Sequence, residues 1–267
     1  MSSADNTLLS CRGVTKRFGG VVALDELNLD VPRRQFFGVI GPNGSGKTTL
    51  FNVLTGIFPI SSGSFLYDGR DITNLSPQRI CRAGISRTFQ RSRVCLDLSI
   101  FDNLMIGNHI FLKRGLWSNL LNRKVLYRQV EEMTERARSL LQVFDPKLAQ
   151  RMDELVGSRP MIDRRRIEIC RALINHPKLL LLDEPSAGMT QREMRELMDN
   201  LLEVKAQVED LTIIMIEHEM NIIERVTDRC AVLNFGRKLS EGSYWTVVAN
   251  PEVQEAYLGT KRKQVVA

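Results

Sequence analysis

The stretch Gly41-Pro42-Asn43-Gly44-Ser45-Gly46-Lys47-Thr48-Thr49 constrains this chain more than any other. An apolar run, Phe36-Phe37-Gly38-Val39-Ile40, precedes it and reads as a buried strand. Thr49-Leu50-Phe51-Asn52-Val53-Leu54 follows with the apolar spacing of a helix. Strand, glycine-rich loop and helix form the context in which G-x-x-x-x-G-K-[ST] predicts phosphate binding. Gly41, Gly44 and Gly46 let the backbone curl so that its N–H groups point at an anion. The helix starting near Lys47 adds unpaired N–H groups and the positive end of its dipole. Lys47 places a compact ammonium on the terminal phosphates, and Thr48 offers a hydroxyl to Mg²⁺. Asn43, Ser45 and Thr49 complete the predicted nucleotide-binding set.

A length of 267 residues suits one large α/β domain, or a core domain with a helical insertion. The net charge of +6 suits nucleic acid or an anionic membrane surface, but is equally common in nucleotide-binding proteins with neither partner. The five cysteines, Cys11, Cys81, Cys95, Cys170 and Cys230, are odd in number and have no C-x-x-C spacing. Reduced thiols in the cytosol are expected, without a disulfide framework or zinc site. No stretch approaches the ~18 apolar residues of a membrane span. The N-terminus lacks the basic start and apolar segment of a secretory signal.

Strands are expected at Leu8 to Val14 and Leu27 to Val31, with Lys16-Arg17-Phe18-Gly19-Gly20 as a loop between them. Further strands are read at Ser64 to Tyr67, Ile85 to Gln90, Leu211 to Ile216, Cys230 to Asn234 and Arg237 to Ser240. Leu179-Leu180-Leu181-Leu182 is an uninterrupted apolar run, as in a parallel strand buried on both faces. Helices are expected after Ser76-Pro77, from Arg164 to Asn175 and from Glu193 to Lys205. Val125, Val130, Met133, Ala137, Leu140, Leu141 and Phe144 mark a long helix by their three- and four-residue spacing.

Asp183-Glu184 stands at the end of the buried strand, where carboxylates are costly without work or partners. Asp183 is a candidate to hold Mg²⁺ through a water, and Glu184 to polarise the attacking water. His218 ends the next strand and is a candidate to bond the γ-phosphate and orient Glu184. Gln90, at the polar exit of a short strand, is a candidate nucleotide and Mg²⁺ contact. Phe18 is a candidate to stack on adenine.

Gly41 to Thr49, Gln90, Asp183-Glu184, Ser186-Ala187-Gly188-Met189 and His218 resemble, in order and spacing, the ATPase subunits of ABC transporters. Gly84-Ile85-Ser86-Arg87-Thr88-Phe89-Gln90, Glu255-Ala256-Tyr257-Leu258-Gly259 and the helical insert around Gly115-Leu116 resemble the branched-chain amino acid importer ATPases. The resemblance implies a P-loop core with a mostly parallel sheet, N-terminal antiparallel strands and an inserted helical subdomain. It implies one domain over residues 1–260, with its core at 1–91 and 164–260, a helical subdomain at about 92–163, and a basic tail at 261–267. ATP and Mg²⁺ are the implied ligands. Transmembrane permease subunits, a second cassette and, indirectly, a solute-binding protein are the implied partners, with no nucleic acid. The implied location is peripheral, on the cytoplasmic face of the inner membrane. Branched-chain amino acids, amides, urea and aromatic acids stay open as solutes. A soluble ABC-type ATPase, or a regulatory subunit with one degenerate site, is the alternative.

One motif departs from the family. The Leu-Ser-Gly-Gly-Gln type signature aligns with Arg159-Pro160-Met161-Ile162-Asp163, which has neither glycine nor serine. Ile162 puts a β-branched side chain where the family lets backbone approach phosphate. Asp163 is expected as N-cap of the helix that follows. A heterodimer with an intact cassette is therefore favoured over a homodimer.

Overall fold

A computed structural model describes residues 6–90, 92–108 and 123–264; the insert around Gly115-Leu116 lies outside them. Two compact units are present. The first comprises the chain up to Arg87, Lys178–Pro185 and the chain from Glu209 onward; the second lies within Thr88–Pro177 and Ser186–Val208. The sequence placed the helical part at about 92–163. The second unit takes in two further helical stretches because α6 (Met161–Leu173) packs on α3 (Ile100–Asn108) and α4 (Arg123–Phe144), while α7 (Gln191–Gln207) packs on α4.

In the first unit, β1 (Thr7–Phe18), β2 (Val21–Pro32), β4 (Ser62–Tyr67) and β5 (Arg70–Asp71) form an antiparallel sheet in the order β2-β1-β4-β5. The β1–β2 hairpin is longer than expected. Register shifts between Cys11 and Arg17 absorb the break in alternation, so Lys16, Arg17 and Phe18 pair with Leu24, Val22 and Val21 instead of forming a loop. The second sheet has the order β10-β9-β3-β8-β7-β6. Its members are β3 (Phe36–Ile40), β6 (Ile85–Arg87), β7 (Leu179–Asp183), β8 (Thr212–Ile216), β9 (Arg229–Asn234) and β10 (Arg237–Gly242). All pairings are parallel except β9 with β10. Strands β3, β7 and β8 are buried at every residue, which is why they read as unbroken apolar runs.

Helix α1 (Lys47–Leu54) buries Leu50, Phe51, Val53 and Leu54 in a core shared by both sheets. Helix α2 (Pro77–Arg82) has Ser76 as N-cap and Pro77 at its first position, as expected. Strand β6 stops at Arg87, three residues before its expected end. Helix α8 (Met220–Val226) follows β8, and α9 (Tyr244–Val248) follows β10. Helix α10 (Pro251–Gln264) continues into the stretch expected as a basic tail. Cys11, Cys170 and Cys230 are buried, and all five cysteines are free thiols.

In the second unit, α5 (Pro146–Gln150) starts on an Asp145 cap, and α7 starts on a reciprocal Thr190–Glu193 capping box. Met194, Leu197, Met198, Leu201 and Val204 form the buried face of α7. Among the described residues no helix is long and apolar enough to cross a membrane.

Asp68, in the β4–β5 turn, accepts hydrogen bonds from Lys178 and Arg33, which hold its pKa at about 2. Depression below the ordinary carboxylate value means that the stabilisation is present above about pH 4 and is lost as pH falls toward 2. The carboxylate is one-third exposed, so solvent screening cuts its worth to about 1 kcal/mol. Asp68→Asn is expected to lower stability by about that amount at pH 7, with the difference shrinking toward pH 2 in urea melts.

Candidate functional site

The carboxyl ends of β3, β7 and β8 lie side by side, with Val39 and Asp183 both paired to Ile216. Ligands of open parallel sheets bind at this edge. The phosphate loop leaves β3 there. Gly41 and Gly46 sit at φ 147° and 104°. A Cβ on Gly41 would lie 2.1 Å from the Leu233 carbonyl oxygen, and one on Gly46 would lie 2.5 Å from that of Ala23. Gly44, at φ 78°, has open space where its Cβ would stand. The loop is anchored from behind, since Gly236 N–H donates to Ser45 O and Asp25 N–H to Gly236 O, each at 3.0 Å.

Lys47 opens α1 and is buried. Its ammonium donates to the carbonyls of Gly41 at 2.8 Å and Pro42 at 2.9 Å. Burial lowers its pKa, and the carboxylates of Glu184 and then Asp183 oppose that shift.

Asp183 ends β7 with its side chain only 1% exposed, and accepts from Arg87 Nη2 at 2.7 Å. Glu184 follows at φ 46°, a left-handed conformation unusual outside glycine, with its N–H bonded to Ile216 O at 3.0 Å. Its Oε1 lies 2.7 Å from His218 Nε2. A cleft of about 230 Å³ brings Asn43 to Thr49, Glu184 and His218 together, with Val21, Val22 and Ala23 of the hairpin as a wall. A strand-end glycine-rich loop, a lysine, three hydroxyls and a carboxylate held by a histidine are suited to holding a polyphosphate and activating a water against it.

The oxygen donors Thr48 and Asp183 fit a hard cation such as Mg²⁺, which takes one or two carboxylates and leaves the rest of its shell to water and phosphate. Among the described residues there is no cluster of three His, Cys, Asp or Glu side chains that would favour another metal.

Residues 24–187 match the family model described as ABC transporter. The chain belongs to the ABC transporter ATPase family. Residues 237–262 of this cassette match a second model, the branched-chain amino acid ATP-binding cassette transporter. The cassette is 36% identical over 252 residues to the high-affinity branched-chain amino acid transport ATP-binding protein LivG of Escherichia coli K12, covering 94% of this chain and 98% of that one. It is 33% identical over 252 residues to BraF of Pseudomonas aeruginosa, with the same coverage. A solved nucleotide-free ATP-binding cassette from an ABC transporter is 31% identical with a TM-score of 0.80, over 94% of this chain and 98% of that one. An ATP-binding cassette in its ADP conformation matches at 31% identity and TM-score 0.80, over 95% and 99%. The chain is thus an ATPase of this family.

Phe18 of the cassette is 41% exposed and packs edge-on to Phe58 at 5.4 Å, with Lys16 Nζ 4.7 Å from its ring centre. Gln90 belongs to the second unit and is exposed. Its carbonyl and that of Phe89 accept from Arg165, at 3.2 and 2.9 Å. Arg165 in turn pairs with the buried Glu168 at 2.8 Å, and Glu168 accepts from the N–H of Arg93. The loop around Gln90 is therefore held by a buried ion pair on α6.

The signature segment differs from its expectation. Helix α6 begins at Met161 with Pro160 as N-cap, so Asp163 is the third helical residue and caps nothing. Its carboxylate is held by Arg166 at 3.3 Å, and burial raises its pKa. Ile162 turns inward and is buried; Met161, 60% exposed, is the side chain presented at the helix start, beside Gly188.

Arg87, Val21, Val22 and Ala23 carried no role in the sequence reading. A charged residue inside a short strand was the available signal for Arg87. Gly46→Ala is expected to abolish ATP binding, because its Cβ collides with backbone. Gly44→Ala, strained by about 1–2 kcal/mol but unobstructed, is expected to retain weakened binding. Titration of both variants with ATP checks the contrast.

Proposed function

We propose that this cassette energises an importer of branched-chain amino acids or related small polar solutes, with Glu184 as general base. The Glu184–His218 contact of 2.7 Å in the phosphate-loop cleft carries the assignment of roles. Glu184 takes a proton from water as its oxygen attacks the γ-phosphorus. The bond from that phosphorus to the β,γ-bridging oxygen breaks, and ADP leaves with the electron pair. His218 orients the Glu184 carboxylate. Lys47 and the N–H groups of Gly41 to Thr49 hold the phosphate oxygens. Mg²⁺, held by Thr48 and, through water, Asp183, would offset phosphate charge. Phe18 stacks on adenine from the hairpin.

The match of residues 237–262 to the branched-chain cassette model and the printed functions of LivG and BraF support the solute class. The cassette works at the cytoplasmic face of the inner membrane, bound to transmembrane permease subunits and served indirectly by a solute-binding protein. Its second cassette is a different chain. Met161 and Ile162 stand where glycines would let backbone approach the opposing phosphate, so this chain's own loop pairs with an intact signature and the reciprocal site is weaker.

Glu184→Gln is expected to cut turnover by about 10²–10⁴ while ATP binding persists. The same variant should stay monomeric with Mg-ATP in size-exclusion chromatography; an ATP-driven shift to a self-dimer would refute the heterodimer. In a reconstituted pair, Glu→Gln in each subunit separately should give unequal losses. Equal losses would refute the asymmetry.

A further inference from the structure

The Arg87 side chain is 5% exposed, and its guanidinium bridges two elements, β7 and α1. Nη2 donates to Asp183 Oδ2 at 2.7 Å. Nη1 donates to Asn52 Oδ1 at 2.8 Å and to Thr55 Oγ1 at 3.2 Å. The guanidinium carbon lies 5.4 Å from the centre of the Phe51 ring. Phe51 and Asn52 belong to α1, the helix that grows from the phosphate loop, and Thr55 is its C-cap. Arg87 is also the last residue of β6 and of the first of the three segments that make up the first unit.

A planar fork held on one side by an amide and a hydroxyl has a fixed direction, so it fixes the carboxylate it grips. It also sets a full positive charge against that carboxylate in a site with little solvent. A divalent cation approaching Asp183 then meets a carboxylate whose charge is already offset, and is attracted less than it would be to a bare one.

We propose that Arg87 is a positioning residue of the metal site: it locks the Asp183 carboxylate against α1 and tempers its attraction for Mg²⁺. The assignment rests on Asp183 serving the metal through water. Arg87 anchors the carboxylate and touches no reacting atom.

The test is the factor by which Mg²⁺ tightens ATP binding, taken as the Kd for ATP in EDTA over the Kd in Mg²⁺ by isothermal titration. In R87M this factor is expected to rise about five-fold or more over wild type, while the melting temperature without nucleotide falls. R87K keeps the charge but not the fork, and its factor is expected to stay near the wild-type value. In R87M/D183N the factor falls below wild type and melting recovers relative to R87M. A folded R87M with an unchanged factor would show a purely structural arginine and overturn the proposal. If R87M does not fold, folding of R87M/D183N supports the charge pairing, and failure of that double variant overturns it. A wild-type factor near one overturns the metal role of Asp183 itself, and the proposal with it.

Discussion

Opposite charges at the carboxyl edge of a buried sheet must be matched, and the first unit is arranged around that requirement. Lys47 and Arg87 are set against Asp183 and Glu184 at the ends of β3, β6 and β7. Ions removed from water cost several kcal/mol each unless geometry and hydrogen bonds offset the loss. Each cation therefore arrives on rigid backbone, Lys47 as the first residue of α1 and Arg87 as the last of β6. The glycines, the loop carbonyls that take the Lys47 ammonium and the amide of Asn52 follow from the same need.

The second unit uses the same device for another end. Arg165 and Glu168 form an ion pair buried on α6, and between them hold the backbone of Phe89, Gln90 and Arg93. A pair of buried charges is weak evidence of stability. It does specify geometry, and here it fixes the backbone that presents Gln90. Arg166 serves similarly beside it, drawing Asp163 inward so that the α6 N-terminus presents Met161 and not a carboxylate.

What was legible in the sequence was local, or depended on neighbouring parallel strands. The phosphate loop could be read because its glycines and Lys47 act within nine residues. β7 and β8 could be read because both faces are buried. Glu184 and His218 lie just past the ends of adjacent strands, so their meeting followed from strand order. The pairing of Arg87 with Asp183 spans 96 residues and has no sequence periodicity to announce it. The hairpin was read too short because bulges interrupt its alternation. The start of α6 was read late because Asp163 is the first residue there of the type that caps, while the helix begins on Pro160 without a side-chain cap.

Glu184 follows β7 in a backbone conformation that only glycine adopts without cost. An L-residue held there costs on the order of 1 kcal/mol or more. Selection for thermal robustness alone would drift this position toward glycine. The base role proposed for it requires glutamate. With the general-base role proposed for Glu184, stability and turnover pull this position in opposite directions, so random screens for stability alone should enrich inactive chains there.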